Sequence, residues 1–523
     1  MTFADSRLRF PFRRPTAAAA AAVAAVLAPP TFAPAAATVT WNGGGGDLAW
    51  STPGNWAGGT APVAGDTADF SVAGTVVLPA ANDVITVGAP ASLAQLHIGG
   101  TTPSFRLAGQ PITLTGATGI KREGTAAGSA LTHTIGNDLV LGANTTFSVG
   151  NGGGRVTVNG VVGEVGGSRS FTKGDSSDLQ LNGNNTFTGA VVLNNGLTVV
   201  GHANALGAGT GIVLLNNTTN TATADVRIAN GITFARDVLV RSNTNANTVA
   251  GDELGGVVTT VSNVWAGNVY LNRRVSLTGG TGSGVTDFTG AIADATAATP
   301  GVGANAYNSS DVTKIAAGRV RLSAANTYSG ATTVSAGALL VNGSLSANDA
   351  AVTVLTGATL GGTGTINRPV AVNAGGTLAA GDGGPGTLTV ASGKTLSLLD
   401  GSVLAAELAA AAGGSDQVVV PTAAFTPAGS GAGTLNVRLL AAAAPADPAA
   451  TYTLLRWTGD DPASLPALAA DPASAYSATL GFVGAGDGLP GGSLVASNVV
   501  PEPSRLGGLL LTGLLVVRRR RWR

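Results

Sequence analysis

The chain has 523 residues, no cysteine, 78 glycines and equal numbers of basic and acidic side chains, 28 each. The missing cysteines exclude a disulfide framework, thiolate chemistry and a zinc–cysteine site. A charged fraction of 11% beside a hydrophobic fraction of 44% excludes the low-hydrophobicity, high-charge profile of disorder.

At the N-terminus Arg7, Arg9, Arg13 and Arg14 precede a small apolar stretch from Ala17 to Ala28. Ala35-Ala36-Ala37 then matches the small-residue rule for signal peptidase. Cleavage after Ala37 makes Thr38 the first mature residue, and a cut after Ala35 is the alternative. Pro15 and Thr16 follow the arginine pair where a twin-arginine signal has Phe and Leu, so the general secretory route is the expectation.

Residues 38–100 hold Trp41, Trp50 and Trp56 among glycines, with Asp47, Asn55, Asp66 and Asp69 nearby. Two readings follow. Exposed rings beside carboxylates stack on sugars, whereas buried rings plug the open end of a repeat structure. The order Trp41-Asn42-Gly43, Asn55-Trp56, Pro62-Val63-Ala64-Gly65-Asp66 resembles the start of exported beta-repeat proteins and favours an N-terminal cap.

Repeats dominate residues 101–410. Gly357-Ala358-Thr359-Leu360, Gly375-Gly376-Thr377-Leu378 and Gly393-Lys394-Thr395-Leu396 recur every eighteen residues. Each glycine opens a turn, and each leucine starts an alternating run such as Thr387-Leu388-Thr389-Val390, the signature of a half-buried strand. On this spacing Leu360, Leu378 and Leu396 form one inward column. A longer block runs from Leu179-Gln180-Leu181 through Asn185-Thr186-Phe187-Thr188-Gly189. It returns as Val320-Arg321-Leu322 through Asn326-Thr327-Tyr328-Ser329-Gly330.

That block resembles the autotransporter-associated beta strand repeat. A unit of two or three short strands buries its apolar face only by stacking on copies of itself. The expected fold is all-β, a right-handed parallel β-helix (solenoid) with N- and C-terminal caps. Asn182, Asn184, Asn185, Asn194, Asn195 and Asn326 are expected at its turns, tolerating left-handed backbone and hydrogen-bonding along the stack. Several β-sandwiches in series are the competing architecture, left open by irregular spacing over 210–316. Residues 411–497 read as a C-terminal β cap or small β-domain, and 484–500 as a spacer.

The C-terminus combines Pro501-Glu502-Pro503, an apolar run from Leu506 to Val517, and Arg518, Arg519, Arg520, Arg521 and Arg523. This order resembles the PEP-CTERM sorting signal over residues 498–523. The resemblance implies a transient anchor, a C-terminal transmembrane helix in the inner membrane of a Gram-negative bacterium, cut by an exosortase near the tripeptide. Arginines resist translocation and hold the preceding chain on the far side. The run is twelve residues, roughly 18 Å as a helix against about 30 Å of hydrocarbon, with Arg505 and Arg518 placed to snorkel. Without the two terminal signals the body retains 18 basic and 26 acidic residues, a net of −8. Nucleic acid is therefore not an expected partner.

Candidate chemistry is sparse. His97, His133 and His202 lack a nucleophile motif nearby and lack zinc-ligand spacing. Asp252-Glu253 with Arg241, and Asp460-Asp461, are the acidic pairs, but adjacent residues of a strand point to opposite faces. Gly43–Asp47 and Gly381-Asp382-Gly383 do not reiterate a calcium-binding nonapeptide. No catalytic residue, metal or cofactor is expected. The sequence predicts an exported, non-enzymatic surface or matrix protein, with signal peptidase and exosortase as processing enzymes. The resemblance adds exopolysaccharide and biofilm as its setting. The alternative is a lyase or glycosidase on the same scaffold, and a carboxylate cluster along one face of the rod separates the two. A true autotransporter passenger is not expected, because no barrel-sized set of amphipathic strands follows the rod.

Overall fold

A computed structural model describes residues 36–71, 83–99, 102–124, 131–150, 153–216, 223–241, 251–257, 260–302, 310–410, 414–420, 434–441, 447–457, 467–483 and 491–501. The predicted signal peptide up to Ala35, the pair Asp460-Asp461, and residues 502–523, where the sorting signal and a transmembrane helix are expected, lie outside them. Among the described residues no helix is long and apolar enough to cross a membrane.

Short alternating runs make nearly all of the regular structure. In Thr387–Val390 the leucine and valine are buried and the threonines face out, and Val352–Val354 and Val370–Val372 follow the same rule. Turn glycines with positive φ, such as Gly357 and Gly375, redirect the chain between strands.

The strands stack into three faces, visited in the order first, second, third from Val84–Val87 to Leu396–Leu398. The exception is the stretch between Val162–Glu164 and Thr233–Phe234, where no named strand among the described residues occupies the second face. The first face is a fourteen-stranded sheet from Val84–Val87 to Leu396–Leu398. The second is a four-stranded sheet starting at Ala91–Leu93, succeeded by a ten-stranded one starting at Thr233–Phe234. The third is an eleven-stranded sheet ending at Ile292–Asp294, succeeded by an eight-stranded one starting at Ala325–Asn326. Pairing between named strands is parallel until the end, where Tyr452–Trp457, Ser493–Pro501 and Tyr476–Val483 pair antiparallel. Long parallel ladders are the arrangement of a β-helix and not of sandwiches, whose sheets are antiparallel. At the spacing of parallel strands the fourteen-stranded face is roughly 60 Å long. One apolar cluster runs inside from Trp41 to Val499.

The first-face ladder crosses residues 210–316 without a break: Ala224–Ile228, Asp252–Gly256, Val275–Thr278 and Val312–Ile315 follow one another. The irregular spacing there comes from connections of unequal length, not from a change of architecture.

Two expectations are corrected. Leu360 pairs with Leu378, both fully buried, but the next rung places Leu404 against Leu378. Leu396 is buried on the first face, opposite Val370. The glycine loop between Ala380 and Thr387 and a longer corner after Val390 lengthen that rung, so eighteen residues no longer close a coil. None of the six named asparagines adopts positive φ; the non-glycine residues that do are Asp175, Ala316 and Asn498.

Candidate functional site

On the first face, Asp225, Glu253, Ser276, Thr313, Thr333 and Thr353 stand directly above one another on successive strands. Alternation turns each of these side chains outward, so parallel stacking converts positions 20 to 37 residues apart into a ladder with rungs ~4.8 Å apart. Its first four members floor a groove of about 450 Å³, completed by Thr223, Gly251, Arg274 and Ile315.

The groove is electrostatically mixed. Asp225 Oδ1 accepts the Glu253 backbone N–H at 3.0 Å, and Glu253 Oε1 accepts Arg227 Nη2 at 2.8 Å. Burial pushes the Asp225 carboxyl up; the Glu253 N–H opposes the shift and the Glu253 carboxylate adds to it. Beneath the wall, Asp252 is fully buried and accepts the Ala224 N–H at 2.9 Å together with Arg273 Nη2. Burial raises its carboxyl to about 7 against the pull of Arg273. Asp252 and Glu253 thus point in opposite directions, as alternation predicts. The partner of the buried acid is Arg273 and not Arg241. Asp225 was not legible as a partner of Glu253, because only strand register brings them together.

The repeat block has its own buried polar machinery. Lys173 and Lys314 are fully buried. Lys314 Nζ donates to the carbonyls of Ile315, Ala316 and Ala336 at 2.7, 2.8 and 3.0 Å. Lys173 does the same for Gly174, Asp175 and Asn195. In each copy the left-handed residue, Asp175 or Ala316, lies two positions after the lysine, so the ammonium holds a strained corner and the next rung together. Burial lowers both amines to about 8. Asn185 and Asn326 bind along the stack: Asn326 Oδ1 accepts Ile292 N–H at 2.9 Å, and its Nδ2 donates to Ala324 and Ser344 carbonyls at 2.9 and 3.2 Å. Asn185 links Val162 N–H to the Ala205 carbonyl likewise. Phe187 and Tyr328 follow them into the core.

The two copies are not in phase. Asp178–Leu181 lies on the first face, whereas the equivalent Arg319–Leu322 lies on the second. Five full coils and one further face separate them.

The remaining residues singled out by sequence sit as follows. Trp41, Trp50 and Trp56 are buried against one another and Phe70, with Trp56 Nε1 donating to the Trp50 carbonyl at 2.6 Å. They present no ring face to a sugar. Ala37 N–H donates to Asp66 Oδ1 at 2.8 Å and Thr38 opens the first strand; Pro501 ends the last one. His97 lies between Asp69 and Glu123 at 3.1 Å each, and His202 Nδ1 accepts the Asn204 N–H. His133 is buried beside Phe105 and is lowered to about 3, by burial first and by Arg122 second. Asp47 is occupied by Ala49, Thr52 and Asn55. Asp382 accepts from Arg319, Arg321 and Asn342, so the glycine loop carrying it ties down two successive rungs of the second face, at Arg319–Leu322 and just after Ala338–Val341. Among the described residues no group of three or more His, Cys, Asp or Glu side chains could hold a metal ion.

Compared with known families, residues 171–200 and 312–341 match the model of the passenger-associated-transport-repeat. The two matches coincide with the two copies that carry the buried lysine, asparagine and aromatic residue. No curated protein matches the chain.

Proposed function

We propose that this is an exported, surface-associated protein of the passenger type, a non-enzymatic structural or adhesive rod. The observation that carries the reading is the pair of passenger-associated-transport-repeat matches, set in a rod of parallel ladders. The autotransporter-like character, not expected from the C-terminal sequence, now rests on those repeats. In this reading the coil is right-handed, as parallel crossovers in one sheet almost always are. Signal peptidase cuts after Ala37 or Ala35. An exosortase removes the segment beyond Pro501-Glu502-Pro503 after transient retention in the inner membrane by Arg518, Arg519, Arg520, Arg521 and Arg523. The released rod contributes to an exopolysaccharide matrix. Many weak polar contacts along a rod this long add up through multivalency.

Intact-mass measurement of the protein recovered from its host's surface and medium tests the processing. The expected species starts at Ala36 or Thr38 and lacks the arginine cluster. A surface species retaining Arg518 to Arg523 overturns the sorting claim. Retention of host exopolysaccharide by the immobilised protein tests the adhesive role, and no retention above a blank matrix overturns it.

The enzymatic alternative gains one specific observation, the Asp225–Glu253 pair in the groove, with one carboxyl raised by burial. Such pairing is what acid–base cleavage of a glycosidic bond needs. Release of new chain ends from the host polymer, lost in Asp225→Asn, would establish that alternative over the structural reading.

A further inference from the structure

We propose that the groove on the first face binds a segment of a neutral, hydroxyl-rich saccharide chain laid along the rod axis. This deepens the adhesive reading and rests on it for the class of ligand.

The lining selects the class. Asp225 and Glu253 offer carboxylate oxygens to hydroxyl donors, while Arg274, Ser276 and Thr313 offer donors to hydroxyl and ring oxygens. Arg227 balances Glu253 at 2.8 Å, so the pair does not present the bare double negative charge that a cation demands. With Arg227 and Arg274 set against the two carboxylates, the groove carries no net positive charge to recruit phosphate or uronate. Polar walls disfavour a lipid chain, and Ile315 supplies one apolar surface for the C–H face of a sugar ring.

The geometry selects the direction. The floor spans four successive rungs, roughly 14 Å from Asp225 to Thr313 at parallel-strand spacing. Beyond the groove the outward column continues as Thr333 and Thr353, which extends the hydroxyl track along the axis. An extended polymer can therefore keep one orientation over the groove and past it. A compact ligand would use the groove alone.

The test uses the full-length chain, cellohexaose as a neutral probe, a hexagalacturonate as an acidic one, and calcium chloride, each followed by titration calorimetry. Cellohexaose is expected to bind, and hexagalacturonate no more tightly, because the charge-balanced lining offers its carboxylates no net attraction. Thr313→Tyr, which fills the groove from an outward position, is expected to weaken cellohexaose binding at least tenfold. Thr172→Tyr, at an outward position on the third face and away from the groove, leaves it within about twofold. Circular dichroism and unfolding of both variants confirm that the rod is intact.

Binding equal in wild type and Thr313→Tyr overturns the site, as does preference for the acidic probe. Calcium binding that is lost in Glu253→Gln, with no saccharide bound, replaces the proposal with a cation site. The adhesive reading fails separately: if immobilised protein does not retain host exopolysaccharide while cellohexaose still binds in the groove, the surface role is wrong and the site stands.

Discussion

Asn326 offers the sharpest test of how the repeat holds its rungs together. Its amide accepts the Ile292 N–H from the rung before and donates to the Ser344 carbonyl of the rung after, with a third bond to Ala324 in its own turn. Asn326→Leu keeps the volume and removes all three. The Ile292 donor is then buried without a partner, which costs about 1–3 kcal/mol, and the two lost donations add about 0.5–1.5 kcal/mol each. Extra apolar burial by the leucine returns part of that. A net loss of about 2–4 kcal/mol follows. Because rungs touch only their neighbours, the loss is local. Hydrogen exchange read by mass spectrometry is therefore the right assay, with faster exchange at Ile292 by roughly 30- to 700-fold. Asn326→Asp separates the bonds, since it keeps the acceptor for Ile292, loses both donations and buries a charge. Ile292 stays protected in that variant while the rod as a whole unfolds at lower urea. Unchanged exchange at Ile292 in Asn326→Leu would refute the account.

Further outcomes follow from the same structure. Leu378→Asp places a carboxylate without a partner between Leu360 and Leu404, costs several kcal/mol and lowers the urea midpoint; a wild-type midpoint would refute the stacked column. In this cysteine-free chain, Leu378→Cys with Leu404→Cys should oxidise to a disulfide, while Leu378→Cys with Leu396→Cys should not; the reverse pattern would restore the eighteen-residue register. Lys173 and Lys314 release their protons at about 8 in the native state and near 10.5 when unfolded. Between those values the unfolded chain binds more protons, so stability rises with pH over that window and is lost again as pH falls through 8, by about 3 kcal/mol for each lysine. Lys314→Met should remove about half of the rise in unfolding midpoint measured from pH 7.5 to 10.5, and an unaltered slope would refute the assignment.

Much of this was legible in the residues themselves. Alternation of Leu and Val with Thr and Ser specified strands that bury one face, the Asn-Thr-aromatic block announced a repeat, and the need of each unit for a neighbour pointed to parallel stacking. The opposite directions of Asp252 and Glu253 also followed from period two alone. Register could not be read this way, because it is the running total of every corner and loop. The loop at Gly381 to Gly386 moved Leu396 onto another face, and the unequal connections between residues 200 and 312 turned the second repeat copy by one face relative to the first. The groove depends on the same total: Asp225 meets Glu253 only because the coil between them closes after 28 residues. Its neighbours Ser276 and Thr313 arrive after 23 and 37 more. Period two decides which way a side chain points, a local property of the pleat. Which side chains stand above one another is decided by where each coil closes, and that exists only once the rungs have stacked.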